Sequence, residues 1–231
     1  MKSSDLLIII PAYNEEGSIE NVVNNIIRNY SQYDYVIIND GSKDRTSAIC
    51  HSNGYNIVDL PVNLGLAGAF QTGLRYAYEQ GYKKAVQFDA DGQHLAEYIR
   101  VLEEKSDEGF ELVIGSRFVT EKRDSSLRML GNTLISAAIK LTTGKTINDP
   151  TSGMRLFTEG LIKEFALNVN YGPEPDTVSY LLNNGVKVAE VQVLMQERQA
   201  GESYLTLSRS IKYMVHMFVS ILIIQNFRKR G

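Results

Sequence analysis

Short, wholly apolar runs alternate with helical stripes through the first half of the chain. Leu6–Ile10 is an uninterrupted apolar run closed by Pro11, the pattern of a strand buried on both faces. From Ser18 the period changes, and Ile19, Val22, Val23, Ile26 and Ile27 fall on one helical face. Tyr35–Ile38, Tyr55–Asp59, Ala85–Phe88 and Glu111–Gly115 read as further strands. About Asp44–Cys50, Leu66–Gln80 and His94–Lys105 read as the helices between them. Alternation of this kind predicts βαβ units, and so an α/β architecture: a Rossmann-like, mostly parallel sheet with helices on both faces.

Beyond Arg117 the rhythm loosens. Val119–Ser126 is charged and reads as a loop, Leu127–Thr142 as a helix, and about Asp176–Asn183 as another. Lys187–Met195 alternates apolar and polar, like a strand with one wetter face, and Glu197–Tyr204 reads as a loop. No internal repeat or linker interrupts residues 1–206, which are expected to form one catalytic domain. Residues 207–231 differ. Ile211, Met214, Val215, Phe218 and Leu222 share a helical face, with Arg209 and Lys212 before them and Arg228-Lys229-Arg230 after. Such a C-terminal amphipathic helix can lie in a membrane interface, attracted by anionic lipid, or pack on the domain or on a second subunit.

Polar residues recur where the strands end: Pro11–Glu15, Asp40–Ser42, Asp89–Gln93 and Ser116–Arg117. In open α/β sheets ligands bind beyond the carboxyl ends of the strands, so these clusters are expected to line one crevice. The most telling is Asp89-Ala-Asp-Gly-Gln-His94. Positions i and i+2 of extended backbone face the same way, so Asp89 and Asp91 project together. Paired carboxylates and an amide oxygen from Gln93 suit Mg²⁺ or Mn²⁺ with coordination positions left for a diphosphate; an ordinary Asp-Gly turn is the alternative. Tyr13-Asn-Glu15 can bracket a nucleobase or cap the next helix. Asp40-Gly-Ser can accept from a base N–H or simply turn. Asn63-Leu-Gly-Leu-Ala-Gly68 suits an anion at a helix N-terminus or close helix packing.

Composition narrows the field. The chain has 231 residues, 43% of them hydrophobic, and a net charge of −3, which does not favour nucleic acid. A single cysteine, Cys50, excludes an internal disulfide framework. The apolar run after Met1 is too short for a signal peptide and none approaches the length of a membrane span, so a cytoplasmic protein is expected. His51, His94 and His216 lack metal-ligand spacing. Gly144-Lys-Thr146 lacks the earlier glycine of a P-loop, G-x-G-x-x-G is absent, and no G-x-S-x-G elbow is present.

Pro11-Ala-Tyr-Asn-Glu15, Asn39-Asp-Gly-Ser42, Asn63-Leu-Gly65, Asp89-Ala-Asp-Gly-Gln-His94, Gly115-Ser-Arg117, Ser152-Gly-Met-Arg155 and Arg198-Gln-Ala-Gly-Glu-Ser203 stand in register. Over about residues 6–205 the chain resembles family 2 glycosyltransferases, most of all the polyprenyl-phosphate branch of dolichyl-phosphate mannose synthases and undecaprenyl-phosphate glucosyltransferases. The resemblance implies a GT-A fold and an inverting, metal-dependent hexosyltransferase that uses a nucleotide-diphosphate sugar. It implies that Pro11, Ala12, Tyr13, Glu15 and Asp40, with Asn63, Gly65, Asp89, Ala90 and Asp91, bind the donor. Asp89, Asp91 and Gln93 would hold Mg²⁺ or Mn²⁺. Asp91, Arg117, Arg128 and Arg198 would carry catalysis, Arg117 and Arg128 on the acceptor side.

The sequence departs from the branch in three places. Asn39 stands for the first acid of the usual Asp-Asp-Gly-Ser. Tyr204 stands where Lys is common. One short amphipathic segment stands where many members carry membrane-spanning helices. The expected reaction is transfer of glucose from UDP-glucose to polyprenyl (undecaprenyl) phosphate at the inner face of the cell membrane, with UDP-GlcNAc and GDP-mannose as other donors. Contact with the membrane would be peripheral or through a partner protein, and homo-oligomers through the C-terminal helix are a further expectation. A GT-A transferase acting on a sugar hydroxyl, with Asp149 or Glu174 as base, is one alternative; a non-catalytic nucleotide-sugar-binding partner is another.

Overall fold

The computed structural model describes residues 2–121, 127–168, 172–197 and 207–225, without the side chains of residues 127, 128 and 207–211. Its strands are β1 (Leu6–Ala12), β2 (Asp34–Asn39), β3 (Ile57–Asp59), β4 (Lys84–Gln87), β5 (Leu112–Ser116), β6 (Arg155–Thr158) and β7 (Val188–Gln192). They form one sheet in the order β3-β2-β1-β4-β6-β5-β7. β1 pairs in parallel with β2 and β4, β2 with β3, and β5 with β7. β6 runs antiparallel between β4 and β5.

The run in β1 is apolar throughout because both its faces are covered. Leu7 and Ile9 point into one layer with α3 (Gly65–Glu79), α5 (Leu127–Thr143), α6 (Glu159–Leu167) and α7 (Pro175–Asn183). Leu6, Ile8 and Ile10 point into the other, with α1 (Ile19–Asn29), α2 (Thr46–Ser52) and α4 (Ile99–Asp107). Ile19, Val22, Val23 and Ile26 are buried as the stripe requires, while Ile27 at its margin is 41% exposed. Cys50 is buried in α2, and burial pushes its thiol up to about 11.

The mostly parallel sheet with helices on both faces is as the pattern predicts, but the second half holds two elements that the pattern missed. β6 is four residues long and runs straight into α6, with no turn residue between them to mark a boundary. His94 does not start a helix. It makes an isolated antiparallel bridge to Met195, followed by a single 3-10 turn over Ala96–Tyr98 and then α4.

The last helix, α8 (Leu207–Val219), continues as a π turn over Ser220–Ile224. Met217 and Ile221 are buried, with Tyr213 and Leu222 half-buried, in the layer shared with α5 and α7. Val215 and Phe218, from the stripe read in the sequence, are 59% and 39% exposed, as are Val219, Ile223 and Ile224 to similar degrees. This helix is apolar nearly all round, so the sequence stripe and the packed face coincide only in part. Gly131 makes the crossing possible: a Cβ there would lie 1.8 Å from the Met214 sulfur.

Candidate active site

The loops after β1 and β2 are laced together. Asn14, the one non-glycine residue with positive φ (57°) among those described, donates its N–H to Ser42 Oγ (2.9 Å) and accepts the Lys43 N–H at its Oδ1 (2.8 Å). Glu15 and Glu16 donate their N–H groups to Thr46 Oγ1 (2.8 Å) and Asp44 Oδ2 (3.0 Å). The Glu15 carboxylate accepts from Ser18 Oγ at 2.8 Å, and the Glu15 carbonyl receives the N–H groups of Ser18 and Ile19, so this residue also starts α1. Pro11 and Ala12 are buried at the end of β1, and Tyr13 beyond them is half-exposed.

Asp40 is 3% exposed and fixes the next loop: its N–H donates to the Ala12 carbonyl (2.8 Å) and its Oδ1 accepts the Leu64 N–H (2.6 Å). Asn63 is exposed, and its Oδ1 accepts the N–H of Gly65, where α3 begins at φ 77°. Gly41 leaves no room for a side chain, since a Cβ would lie 2.8 Å from the backbone at Val62 and Asn63. Asn39 donates from Nδ2 to Asp59 Oδ1 (2.6 Å). A carboxylate at position 39 would face another carboxylate there. Burial raises Asp59, but donors from Asn39, His51 and Ser47 outweigh it and hold its carboxyl below the ordinary value.

β4 ends at Gln87, so Asp89 and Asp91 are not carried side by side on extended strand as the sequence pattern implies; Asp89 follows the strand and Asp91 lies in the turn after it. Asp91 is 4% exposed, and its Oδ1 accepts the Gln93 N–H at 3.0 Å. Asp89 is more open, its side chain 32% exposed. His94, buried, accepts the Asp89 N–H at Nδ1 (2.9 Å), while its Nε2 lies 3.4 Å from Asp89 Oδ2. An accepting Nδ1 leaves the proton on Nε2, facing the carboxylate. Phe88 packs edge-on against the imidazole. Ala90 is buried between the two acids, and the Gln93 side chain lies 3.5 Å from the Gln196 carbonyl.

Because β6 is antiparallel, its beginning rather than its end reaches this rim, and it brings residues 149–154 with it. A Cβ on Gly153 would sit 3.0 Å from Asp89 Oδ2 and 3.4 Å from His94, so the glycine keeps the space beside the carboxylate open. Two hard carboxylates with such space fit a divalent cation that completes its shell from substrate oxygens. Among the described residues no cluster of three or more His, Cys, Asp or Glu could hold an ion unaided.

At the end of β5, Arg117 meets Asp149. Its Nε donates to Oδ2 (2.7 Å) and Nη2 to Oδ1 (2.8 Å), and its own N–H adds a third bond to Oδ2 (3.1 Å). Asn132 on α5 and Thr151 donate to the same carboxylate (2.9 and 3.2 Å). Asp149 is thus fully buried and surrounded by donors, while Arg117 is 28% exposed. Behind them Arg155 is wholly buried and donates to the carbonyls of Ser152, Pro150 and Glu174. Burial lowers its pKa, against nearby Glu174. Glu174 accepts from the Tyr213 hydroxyl of α8, a phenol pushed far up by burial and by that carboxylate.

The structure therefore gathers Pro11, Ala12, Tyr13, Glu15, Asp40, Asn63, Gly65, Asp89, Ala90, Asp91, Gln93 and Arg117 along one rim of the sheet. Arg128 is the second residue of α5, with its side chain outside the described residues, and Arg198 lies outside them altogether. Sequence reasoning missed His94 and Asn132 as supports. His94 stands within the acidic run but has no second histidine at ligand spacing to mark it; nothing marks Asn132 locally.

Residues 7–165 match the family described as glycosyl transferase family 2. The UDP-N-acetylglucosamine–dolichyl-phosphate N-acetylglucosaminyltransferase of Methanococcus voltae is 35% identical over 179 residues, covering 68% of this chain and 71% of that protein. The polyprenol monophosphomannose synthase of Mycolicibacterium smegmatis is 28% identical over 210 residues, 85% of this chain and 79% of its own. Among solved structures, glucosyl-3-phosphoglycerate synthase from Mycobacterium tuberculosis, in complex with Mn²⁺, UDP and phosphoglyceric acid, superposes with a TM-score of 0.71 at 19% identity, over 98% of this chain and 80% of that one. The fold is thus GT-A, and the chain is a glycosyltransferase belonging to glycosyl transferase family 2, in its polyprenyl-phosphate branch.

Proposed function

We propose that the protein transfers a hexose, glucose from UDP-glucose, to the phosphate of a membrane polyprenol, with inversion at the anomeric carbon. The relatives' names support the acceptor class: one acts on dolichyl phosphate, another is a polyprenol monophosphomannose synthase, and a third is an undecaprenyl-phosphate mannosyltransferase from Micrococcus luteus. They differ in sugar, so the choice of glucose and uridine rests on the resemblance read in the sequence.

The observation that carries the acceptor reading is the state of Asp149. A hydroxyl acceptor needs a base to take its proton. Asp149 already receives donors from Arg117, Asn132 and Thr151, and Glu174 is bound by Tyr213. A phosphate monoester, whose second pKa is about 6, arrives as its own nucleophile and needs no such group. What it needs is cationic guidance, and Arg117, aimed by Asp149 and reaching the surface, would bring its positive charge toward the phosphate oxygens.

On the donor side, the buried carboxylate of Asp40 and the ring of Tyr13 would hold the base, and the start of α3 at Gly65 would lie near the diphosphate. Asp89, kept in place by His94, and Asp91 would hold Mg²⁺ or Mn²⁺, with Gln93 beside them. When bound, the ion supplies charge neutralisation for the departing nucleotide.

Access to a lipid-linked acceptor would come from peripheral contact. No helix among the described residues is long and apolar enough to cross a membrane. Leu130, Leu134 and Leu141 on α5, and Val215, Phe218 and Ile223 near the C-terminus, are exposed. Residues 127–148 and 207–231 contain Arg128, Lys140, Lys145, Arg209, Lys212, Arg228, Lys229 and Arg230 and no acid, in a chain of net charge −3. Apolar residues with basic neighbours suit an anionic lipid surface.

The test is a donor panel of UDP-glucose, UDP-GlcNAc and GDP-mannose, with Mn²⁺ or Mg²⁺, offered farnesyl phosphate or soluble glycans. Product on farnesyl phosphate with UDP-glucose is expected. Product only on glycans overturns the acceptor assignment.

A further inference from the structure

We propose that the polar positions of β7, Glu190 and Gln192, are the template that aims Arg117, which makes both of them positioning residues for the acceptor phosphate. The assignment to that phosphate rests on the acceptor reading above. Positions i and i+2 of a strand point the same way, so the two side chains stand together. Each clamps one half of the Arg117–Asp149 pair.

Glu190 holds the aspartate half. Its Oε2 accepts the N–H and the Nδ2 of Asn148 (2.7 and 3.0 Å), and its Oε1 accepts the Asp149 N–H (2.7 Å). Gln192 holds the arginine half. Its Oε1 accepts the N–H groups of Val119 and Thr120 (2.9 and 2.8 Å), and its Nε2 donates to the carbonyls of Arg117 and Val193 (3.0 and 3.1 Å). In the parallel pairing of β5 with β7, Ile114 lies opposite Glu190 and Ser116 opposite Gln192, which places the second clamp one residue before Arg117.

The residue types fit these tasks. Both clamped segments are loops whose N–H groups have no ladder partner and need acceptors. Every neighbour that Glu190 meets here is a donor, so a carboxylate satisfies them all, whereas an amide would turn its NH₂ against one of them. Gln192 must accept and donate at once, which a carboxylate cannot do. The polar alternation of β7 is therefore not a solvated face. It sets the relative placement of two segments far apart in sequence, and with it the direction of the guanidinium.

The test uses two nearly isosteric variants of the full chain, Glu190→Gln and Gln192→Glu, assayed with UDP-glucose and farnesyl phosphate. In each, the acceptor KM is expected to rise about tenfold while the donor KM stays within about twofold, and Arg117→Lys is expected to mask the further loss. In parallel, the NMR correlation of the Arg117 side-chain Nε–H, assigned by its disappearance in Arg117→Lys, should move and lose exchange protection in both variants. Equal rises in donor and acceptor KM, additivity with Arg117→Lys, or an unmoved Arg117 signal would each overturn the proposal. The NMR arm needs no turnover, so a moved signal in a protein inactive towards every acceptor would remove the acceptor reading and leave the template standing. If Glu190→Gln does not fold, the same outcomes in Gln192→Glu decide.

Discussion

The guanidinium of Arg117 grips the carboxylate of Asp149 through Nε and Nη2 at 2.7 and 2.8 Å, with the acid wholly buried and the base reaching the surface. Cutting such a pair on one side leaves a charge with too few partners. Arg117→Ala should destabilise the protein by about 3 kcal/mol in urea unfolding, because Asp149 then stays buried without its main counter-charge. Arg117→Lys restores the charge without the fork, so it should recover most of that stability yet still raise the acceptor KM more than the donor KM. Equal effects on both substrates would argue against the acceptor role.

Asp91→Asn keeps the size and the bond from the Gln93 N–H but removes the charge. Turnover should fall by about 10³-fold or more while the melting temperature stays near that of the parent. Chelating divalent ions should have the same effect on the parent, reversed by adding Mn²⁺. A variant that kept the parental rate would exclude Asp91 from the chemistry.

Gly153→Ala tests the space beside Asp89, where the added methyl would lie 3.0 Å from Oδ2. The carboxylate is partly exposed and can swing away, so stability should change by less than about 1 kcal/mol. Its aim should change more, seen as a weaker apparent affinity for Mn²⁺ in a metal titration of the rate. Unchanged metal dependence would show that Asp89 tolerates the shift.

Burial works to raise Asp44, but the Thr46 hydroxyl and the N–H groups of Thr46 and Glu16 outweigh it and hold its carboxyl below the ordinary 3.8. A depressed carboxylate contributes stability above its unfolded pKa and loses it as pH falls through the folded one. The gap in unfolding midpoint between the parent and Asp44→Asn should be full at pH 7 and shrink as pH falls below about 4. A gap that is constant across that range would assign the effect to packing instead.

Leu134→Glu with Phe218→Glu places acids on exposed positions of α5 and α8. Sedimentation with vesicles containing phosphatidylglycerol should fall sharply, while turnover on farnesyl phosphate in solution is kept. Unaltered sedimentation would direct attention to a partner protein or another surface.

The sheet and its rim were legible because β1, β2, β4 and β5 carry apolar runs that end in polar clusters. Burial on both faces writes the run, and the loops at the strand ends write the cluster. β6 escaped because it is four residues long, opens on a charged Arg155 that proves to be buried and bonded to three carbonyls, and runs directly into α6. His94 escaped because its partner is a backbone N–H, which sequence cannot display. Glu190 and Gln192 were visible only as a wet strand face, since their partners lie far off along the chain. The inward face of α8 was blurred because its outward face is apolar too.

The antiparallel β6 lies between an amino-terminal set of strands, β3-β2-β1-β4, and a carboxyl-terminal set, β5 and β7, and joins them through two short ladders, one to β4 from Lys84↔Thr158 to Gln87↔Arg155 and one to β5 from Leu112↔Phe157 to Ile114↔Arg155. That seam makes the protein a natural subject for chimeras. A segment ending just after Gln93, taken from a relative that prefers another nucleotide sugar, would bring its own loops after β1, β2 and β4 and leave the host's α5, β7 and α8 intact. Such hybrids would show whether sugar choice and lipid choice evolved as separable traits.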